Sequence, residues 1–208
     1  MTPYLLIAIA YLAGSIPVGV VLSKYYGVGD ITKEGSGNIG ATNVGRVVGK
    51  KAGIITLAGD ILKGALPVLA ARAMLPDASI FIALTALAAF MGHLYPVFNK
   101  FKGGKGVATA LGVFIVISPL ATLCAVLSFI IILSIWRFVS LGSIVAAGAM
   151  PAFAGMFNLP PSYIAVSLVI GGLVIYRHKD NIRRLLEGTE SRFEKKKADS
   201  GNLEESDE

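Results

Sequence analysis

Residues 107–136 read VATALGVFIVISPLATLCAVLSFIIILSIW, with no charged side chain. After Arg137 alone, residues 138–176 read FVSLGSIVAAGAMPAFAGMFNLPPSYIAVSLVIGGLVIY, again uncharged. About 20 apolar residues span the hydrocarbon of a bilayer, so the second run is too long for one crossing. It must be a hairpin, turned at Asn158-Leu159-Pro160-Pro161. The first run is ambiguous by length, being one long crossing or two short ones. Both read as membrane helices, and the class they set is an all-α integral membrane bundle.

The rest of the chain extends this pattern. Residues 3–23 are uncharged and lack the basic start and small-residue cleavage site of a removed signal, so they form a membrane helix kinked at Gly14 and Pro17. Residues 54–75 are apolar apart from Asp60, Lys63 and Arg72, and residues 78–98 apart from His93. Basic residues gather between alternate apolar runs: Lys24, Lys33, Arg46, Lys50 and Lys51, then Lys100, Lys102 and Lys105, then many after Tyr176. The opposite turns carry Asp77, with Arg72 the nearest exception. The positive-inside rule then puts the amino terminus outside and the carboxyl terminus in the cytoplasm. Parity resolves the ambiguous run, because Lys105 and Arg137 must both lie inside. Residues 107–136 therefore go in and return, bending near Ser118-Pro119. The expected count is seven segments, two of them short; five crossings with a re-entrant pair share the same pattern.

Composition agrees. Of 208 residues 54% are hydrophobic and 15% charged, with a mean hydropathy of +0.70; a soluble domain carries about 25% charged residues. The net charge of +6 sits in short clusters suited to anionic lipid or phosphate-bearing substrates, and no soluble domain exists for a nucleic-acid groove. Cys124 lies inside an apolar run, where packing is its expected role. Residues 1–193 read as one membrane domain. Residues 194–208, basic and then acidic, read as a disordered charged tail or an addition foreign to the native chain.

Three segments carry chemistry. Gly35-Ser-Gly-Asn-Ile-Gly-Ala-Thr-Asn43, closed by Arg46, is a backbone free to turn and aim several N–H groups at one phosphate. Its glycines spell a dinucleotide fingerprint, but no strand precedes them and no βαβ unit surrounds them. Gly92-His93-Leu-Tyr-Pro96 with Phe101-Lys-Gly-Gly-Lys-Gly-Val-Ala-Thr109 brings Lys105 to the opening of a helix. It departs from a P-loop at Asn99 and Gly106. Arg177-His-Lys-Asp-Asn-Ile-Arg-Arg184, if helical, sets Arg177, Asn181 and Arg184 on one face, with His178 one turn before Asn181. Ser140 and Ser143 open another helix on the same side. Asp60 inside an apolar helix is expensive, and reads equally as half of an ion pair with Lys63 or an arginine and as a substrate contact. No His-x-x-x-x-Asp pair, Gly-x-Ser-x-Gly elbow or metal-ligand cluster is present in the sequence, and no cofactor or metal is expected.

Together these pieces resemble the acyl-phosphate:glycerol-3-phosphate acyltransferases of bacterial membranes, the PlsY family. The resemblance runs from Gly14-Ser-Ile-Pro17, through Ser36 to Asn43 and Arg46, Gly59-Asp60 with Lys63-Gly64, Gly92-His93 with Pro96, and Phe101 to Thr109. It continues with Arg137, Ser140 and Ser143, Arg177-His178, Asn181-Ile182 and Gly188-Thr189-Glu190. It implies transfer of a fatty acyl group from acyl-phosphate to the 1-hydroxyl of glycerol 3-phosphate, giving lysophosphatidate and phosphate. It also implies an active site on the cytoplasmic face of the bacterial inner membrane, in contact with membrane lipid. On this reading Ser36, Gly37 and Asn38 hold the donor phosphate with Thr42 and Asn43 nearby. Arg46, Lys105, His178 and Asn181, with Ser143, hold glycerol 3-phosphate, and Gly103 and Gly104 are further substrate-binding residues. The proton acceptor is His178 or a substrate phosphate oxygen. A transporter of small phosphate-bearing anions is the competing class; it would set polar groups at the bilayer midplane, often in inverted repeats, which the sequence does not show.

Overall fold

The computed structural model describes residues 2–193, and among them every regular element is helical. The tail expected over residues 194–208 lies outside the described residues. In chain order the helices are α1 (Thr2–Gly14), α2 (Val18–Tyr25), α3 (Ala41–Val47), α4 (Lys50–Met74), α5 (Ser79–Leu94), α6 (Val107–Ile117), α7 (Pro119–Trp136), α8 (Val139–Met156), α9 (Pro161–Arg177) and α10 (Lys179–Leu186).

With α1 and α2 taken as one broken span, five stretches are long and apolar enough to cross a membrane, and α6 and α9 are shorter apolar helices. Seven apolar segments is the number read from the sequence, but the short ones are α6 and α9 and not the two halves of residues 107–136, since α7 is a full-length span. The first span breaks before Pro17, which has no N–H to donate and clashes with the turn before it. There Ser15 and Ile16 close the preceding helix onto the carbonyls of Tyr11 and Ala13. The bend expected near Ser118-Pro119 is the boundary between α6 and α7, where the Ser118 hydroxyl accepts from the Ala121 N–H and Pro119 takes the first helical position. At 1.5 Å per residue α6 is roughly 16 Å long, about half the hydrocarbon thickness. Arg72, the exception to the charge pattern, donates to the carbonyl of Val116 in the last turn of α6. It satisfies a helix-end acceptor that lipid cannot.

α1 packs along α5, α4 along α6, α7 along α8 and α8 along α9. Val68, Ile82, Phe90, Leu94, Val113 and Ile170 lie at the centre, all almost fully buried. Helices in lipid gain little from burying apolar surface against one another, so close approach rests on small residues. Gly92 lies against the backbone of α1 from Tyr11 to Ser15, and Gly112 against the Ile61 carbonyl. Outward, Leu120, Leu123, Leu127, Ile130, Ile131 and Ile135 leave α7 with an exposed apolar face that lipid covers.

The short turns α4–α5, α6–α7 and α8–α9 share one end of the bundle. Residues 26–49, residues 95–106, the α7–α8 junction and α10 share the other. Each glycine-rich or basic segment singled out above belongs to this second end.

Candidate active site

The first glycine-rich loop is tied by Asn43, whose side chain is 2% exposed. Its Oδ1 accepts from the Ser36 N–H at 2.8 Å, and its Nδ2 donates to the carbonyls of Asn38 at 2.9 Å and Glu34 at 3.0 Å. Gly35 has φ +57°, and a Cβ there would lie 2.4 Å from Asn43 Oδ1, so a side chain is excluded twice over. Asn38 Oδ1 accepts from the Gly40 N–H at 2.9 Å. Ile31, Ile39, Val44 and Ala52 are buried beneath the loop as a small core of their own.

The second loop is tied from elsewhere. Arg177 donates from Nε to the Gly104 carbonyl at 3.1 Å and from its terminal nitrogen to the Gly103 carbonyl at 2.9 Å. The guanidinium also lies 6.0 Å from the centre of the Tyr95 ring. Gly103 and Gly104 rest on α5 so closely that a Cβ on Gly103 would lie 2.1 Å from the His93 carbonyl oxygen. That clamp presents Lys105, whose ammonium donates to Asn181 Oδ1.

Glu190 gathers the third segment. Its Oε1 accepts from Ser140 Oγ at 2.7 Å and Asn181 Nδ2 at 2.6 Å, and its Oε2 from Arg184 Nε at 2.7 Å. Asn181 is thereby fixed with its oxygen toward Lys105. The helix expected to run through Arg177–Arg184 is in fact two: α9 ends at Arg177, the chain bends at His178, and α10 carries Asn181 and Arg184. The three polar side chains still converge, through the bend and not along one face.

These pieces line an open cavity of about 320 Å³, with Ser36, Gly37, Asn38, Tyr95, Gly103, Lys105, Tyr176, Arg177, Lys179, Asp180, Asn181 and Arg184 on its wall. Its electrostatics are uneven. Burial pushes the Lys105 ammonium down to about 8; Glu190 opposes that shift, while Arg184 and Arg177 add to it. Burial likewise pushes His178 down to about 4, against the bond between its Nδ1 and the Val174 carbonyl at 2.8 Å and with help from nearby Lys105. His178 is therefore neutral at physiological pH, with Nδ1 donating and Nε2 left as an acceptor. For Glu190 burial raises the pKa, but the hydrogen bonds from Ser140, Asn181 and Arg184 together outweigh it and hold the carboxyl below the usual range.

Of the residues expected at the site, Ser36, Gly37, Asn38, Gly103, Lys105 and Asn181 meet at the cavity wall. Gly104 is buried behind it, and His178 is 3% exposed between two lining residues. Ser143 is buried on α8, one turn from Ser140, and donates to the Val139 carbonyl at 2.8 Å. Asn43 spends its side chain on the loop. Thr42 and Arg46 are exposed on α3, apart from the lining residues. Asp60 pairs with Lys63 at 2.8 Å and lies outside the cavity lining. Sequence reasoning named Glu190 only as part of the resemblance, after Gly188-Thr189 and with no role, and did not foresee the clamp made by Arg177. Among the described residues no group of three His, Cys, Asp or Glu side chains gathers as a metal site.

A family model, Glycerol-3-phosphate acyltransferase, matches residues 4–188. A glycerol-3-phosphate acyltransferase of Syntrophotalea carbinolica is 53% identical over 190 residues, covering 91% of this chain and 97% of that one. One from Geotalea daltonii is 55% identical, covering 89% and 95%. The crystal structure of PlsY (YgiH), an integral membrane glycerol 3-phosphate acyltransferase, in its glycerol 3-phosphate form superposes with a TM-score of 0.90. It is 45% identical, with 93% of this chain and 96% of that chain covered. The lysophosphatidic acid form superposes with a TM-score of 0.88.

Proposed function

This chain belongs to the glycerol-3-phosphate acyltransferase family of integral membrane proteins, and from that premise we propose that its acyl donor is acyl-phosphate. The products are lysophosphatidate and inorganic phosphate. One observation carries the reading: two glycine-rich loops and the Lys105 ammonium face one polar cavity at the end of an apolar bundle. Two small phosphate-bearing groups and one lipid chain are what such a site suits. Ser36, Gly37 and Asn38 hold the donor phosphate, while Arg46, expected at glycerol 3-phosphate, stands on α3 outside the cavity lining. Lys105 and Asn181 hold glycerol 3-phosphate, with Ser143 and His178 behind them.

The 1-hydroxyl oxygen attacks the acyl carbonyl carbon, the carbon–oxygen bond to phosphate breaks, and phosphate leaves with the electron pair. A mixed anhydride is already activated, so alignment and charge neutralisation supply most of the acceleration. Burial pushes His178 down to about 4, which makes it a poor base at neutral pH. The hydroxyl proton therefore goes to a phosphate oxygen, and His178 Nε2 accepts a hydrogen bond that orients the acceptor. No covalent acyl-enzyme and no divalent metal enter. The site faces the cytoplasm, on the strength of the basic residues at its end of the bundle.

Purified protein given glycerol 3-phosphate with acyl-phosphate, acyl-CoA or acyl-carrier protein separately, each with and without EDTA, tests this reading. Product from acyl-phosphate alone, unaffected by EDTA, is expected. Robust product from either thioester, or activity extinguished by EDTA, refutes it. For orientation, cysteines introduced at positions 44 and 102 should resist an impermeant reagent added outside, whereas one at 159 should react.

A further inference from the structure

Four polar side chains from α4, α5 and α6 meet beneath the second glycine-rich loop, and none of them lines the cavity. Asp60 and Lys63 of α4 are paired at 2.8 Å. His93 of α5 holds its Nδ1 3.6 Å from the same Asp60 oxygen and 3.1 Å from the hydroxyl of Thr109 on α6. Lys63 also donates to the Ile16 carbonyl at 2.8 Å, at the break between α1 and α2. All four side chains are 6% exposed or less. Removing two ions from water costs several kcal/mol each, and well-packed apolar residues of similar volume are often at least as stabilising. Stability alone is a poor reason for this cluster.

What the cluster touches next is the loop. The His93 carbonyl accepts from the Gly104 N–H at 3.3 Å. A Cβ on Gly104 would lie 2.4 Å from His93 Nε2, so the loop backbone rests on the imidazole as well as on its peptide. Thr109 holds the ring at Nδ1 with the Asp60 carboxylate close by, and the Nε2 edge carries Gly104. The nearby carboxylate favours a proton on Nδ1, and the Thr109 contact sets the tilt of the ring. We propose that Asp60, Lys63, His93 and Thr109 are positioning residues for glycerol 3-phosphate, setting the His93 ring that in turn sets where Gly103, Gly104 and Lys105 meet the acceptor phosphate. The proposal rests on the reading that Lys105 holds that phosphate. A displacement of about 1 Å at a reacting centre costs on the order of a hundredfold, so a support one layer away registers in the kinetics.

The test is a set of double-mutant cycles on the full chain, with acyl-phosphate and glycerol 3-phosphate varied separately. Thr109→Val keeps the side-chain shape and removes only the hydroxyl at Nδ1. It should raise KM for glycerol 3-phosphate about fivefold and leave KM for acyl-phosphate unchanged. His93→Ala should raise the same KM by at least about tenfold, and His93→Asn, which restores a hydrogen-bonding atom near Nδ1, should recover part of it. On a Lys105→Ala background each substitution should cost less than about twofold more, because its route to substrate is already gone; on a Ser36→Ala background the losses should multiply. Full additivity with Lys105→Ala, equal rises in both KM values, or a fall in Tm with unchanged kinetics overturns the proposal. If His93→Ala fails to fold, the Thr109→Val cycle decides it. Wild-type protein without transferase activity ends the functional reading itself, whereas active wild type with an additive cycle ends only the positioning role.

Discussion

The two glycine-rich loops face one cavity and are held in opposite ways. Residues 35–43 are closed by a member of the same stretch, Asn43, over a small core of Ile31, Ile39 and Val44. Residues 103–106 contain no side chain that closes them. Their carbonyls are clamped by Arg177 from the end of α9, and their floor is His93 at the end of α5. A loop closed locally takes its shape mainly from its own side chains, over a floor that it shares with Val20 of α2 and Ala52 of α4. A loop closed by distant helices has that shape only when those helices are packed, so the position of Lys105 reports on the whole fold.

Substitutions at the two loops should therefore fail differently. The largest loss is expected for Lys105→Ala, which removes the charge presented by the second loop; kcat/KM should fall about a hundredfold to a thousandfold, as for a lost charge-assisted phosphate contact. Steady-state kinetics on the purified protein check it. Arg177→Lys keeps the charge but loses the planar fork that reaches two carbonyls. It should cost about tenfold, seen as a higher KM for glycerol 3-phosphate and not for acyl-phosphate. An equal rise in both constants would mean that the loops are not independently held.

At the first loop Asn43→Asp preserves the acceptor for the Ser36 N–H and removes both donors to the carbonyls of Glu34 and Asn38. Leaving two carbonyls without that donor should cost about 2 kcal/mol, read as a lower Tm in detergent, with activity lost through the acyl-phosphate KM. The pH dependence separates the loops again. The folded-state pKa of Lys105 is about 8, below its ordinary value, so its charge is present below that pH and lost as pH rises through it. An alkaline limb near pH 8 should appear in kcat/KM, which reports the free enzyme. Lys105→Arg, whose charge persists, should move that limb upward. The smallest effect belongs to Lys102→Ala, an exposed residue outside the cavity lining, at less than about twofold.

The local loop was legible in the sequence because its closure is local: glycines, Ser36 and Asn43 lie within one short stretch. The segments at 103–105 and 177–184 were legible as basic and polar, but not as partners. Nothing in spacing says that Arg177 binds the carbonyls of Gly103 and Gly104, since that contact joins residues more than seventy positions apart. The role of Glu190 escaped for the same reason. It exists only because α8 and α10 bring Ser140, Asn181 and Arg184 to one carboxylate. The ambiguity at Asp60 resolves in space as well, with Lys63 its partner one helical turn away and His93 close by.

The seven apolar segments, the bend at Ser118-Pro119 and the break before Pro17 were set by the sequence itself. Hydrocarbon imposes a length, and proline removes a donor, wherever in the fold they occur. The tertiary structure alone decided which polar groups stand together: Lys105 on Asn181, Arg177 on the second loop, and Asp60 beneath His93. Lipid cannot satisfy Asp60, Lys63 and His93 inside the bundle, so these must find partners among themselves. Which partner each finds depends on helix packing, a property of the whole bundle that no short stretch contains.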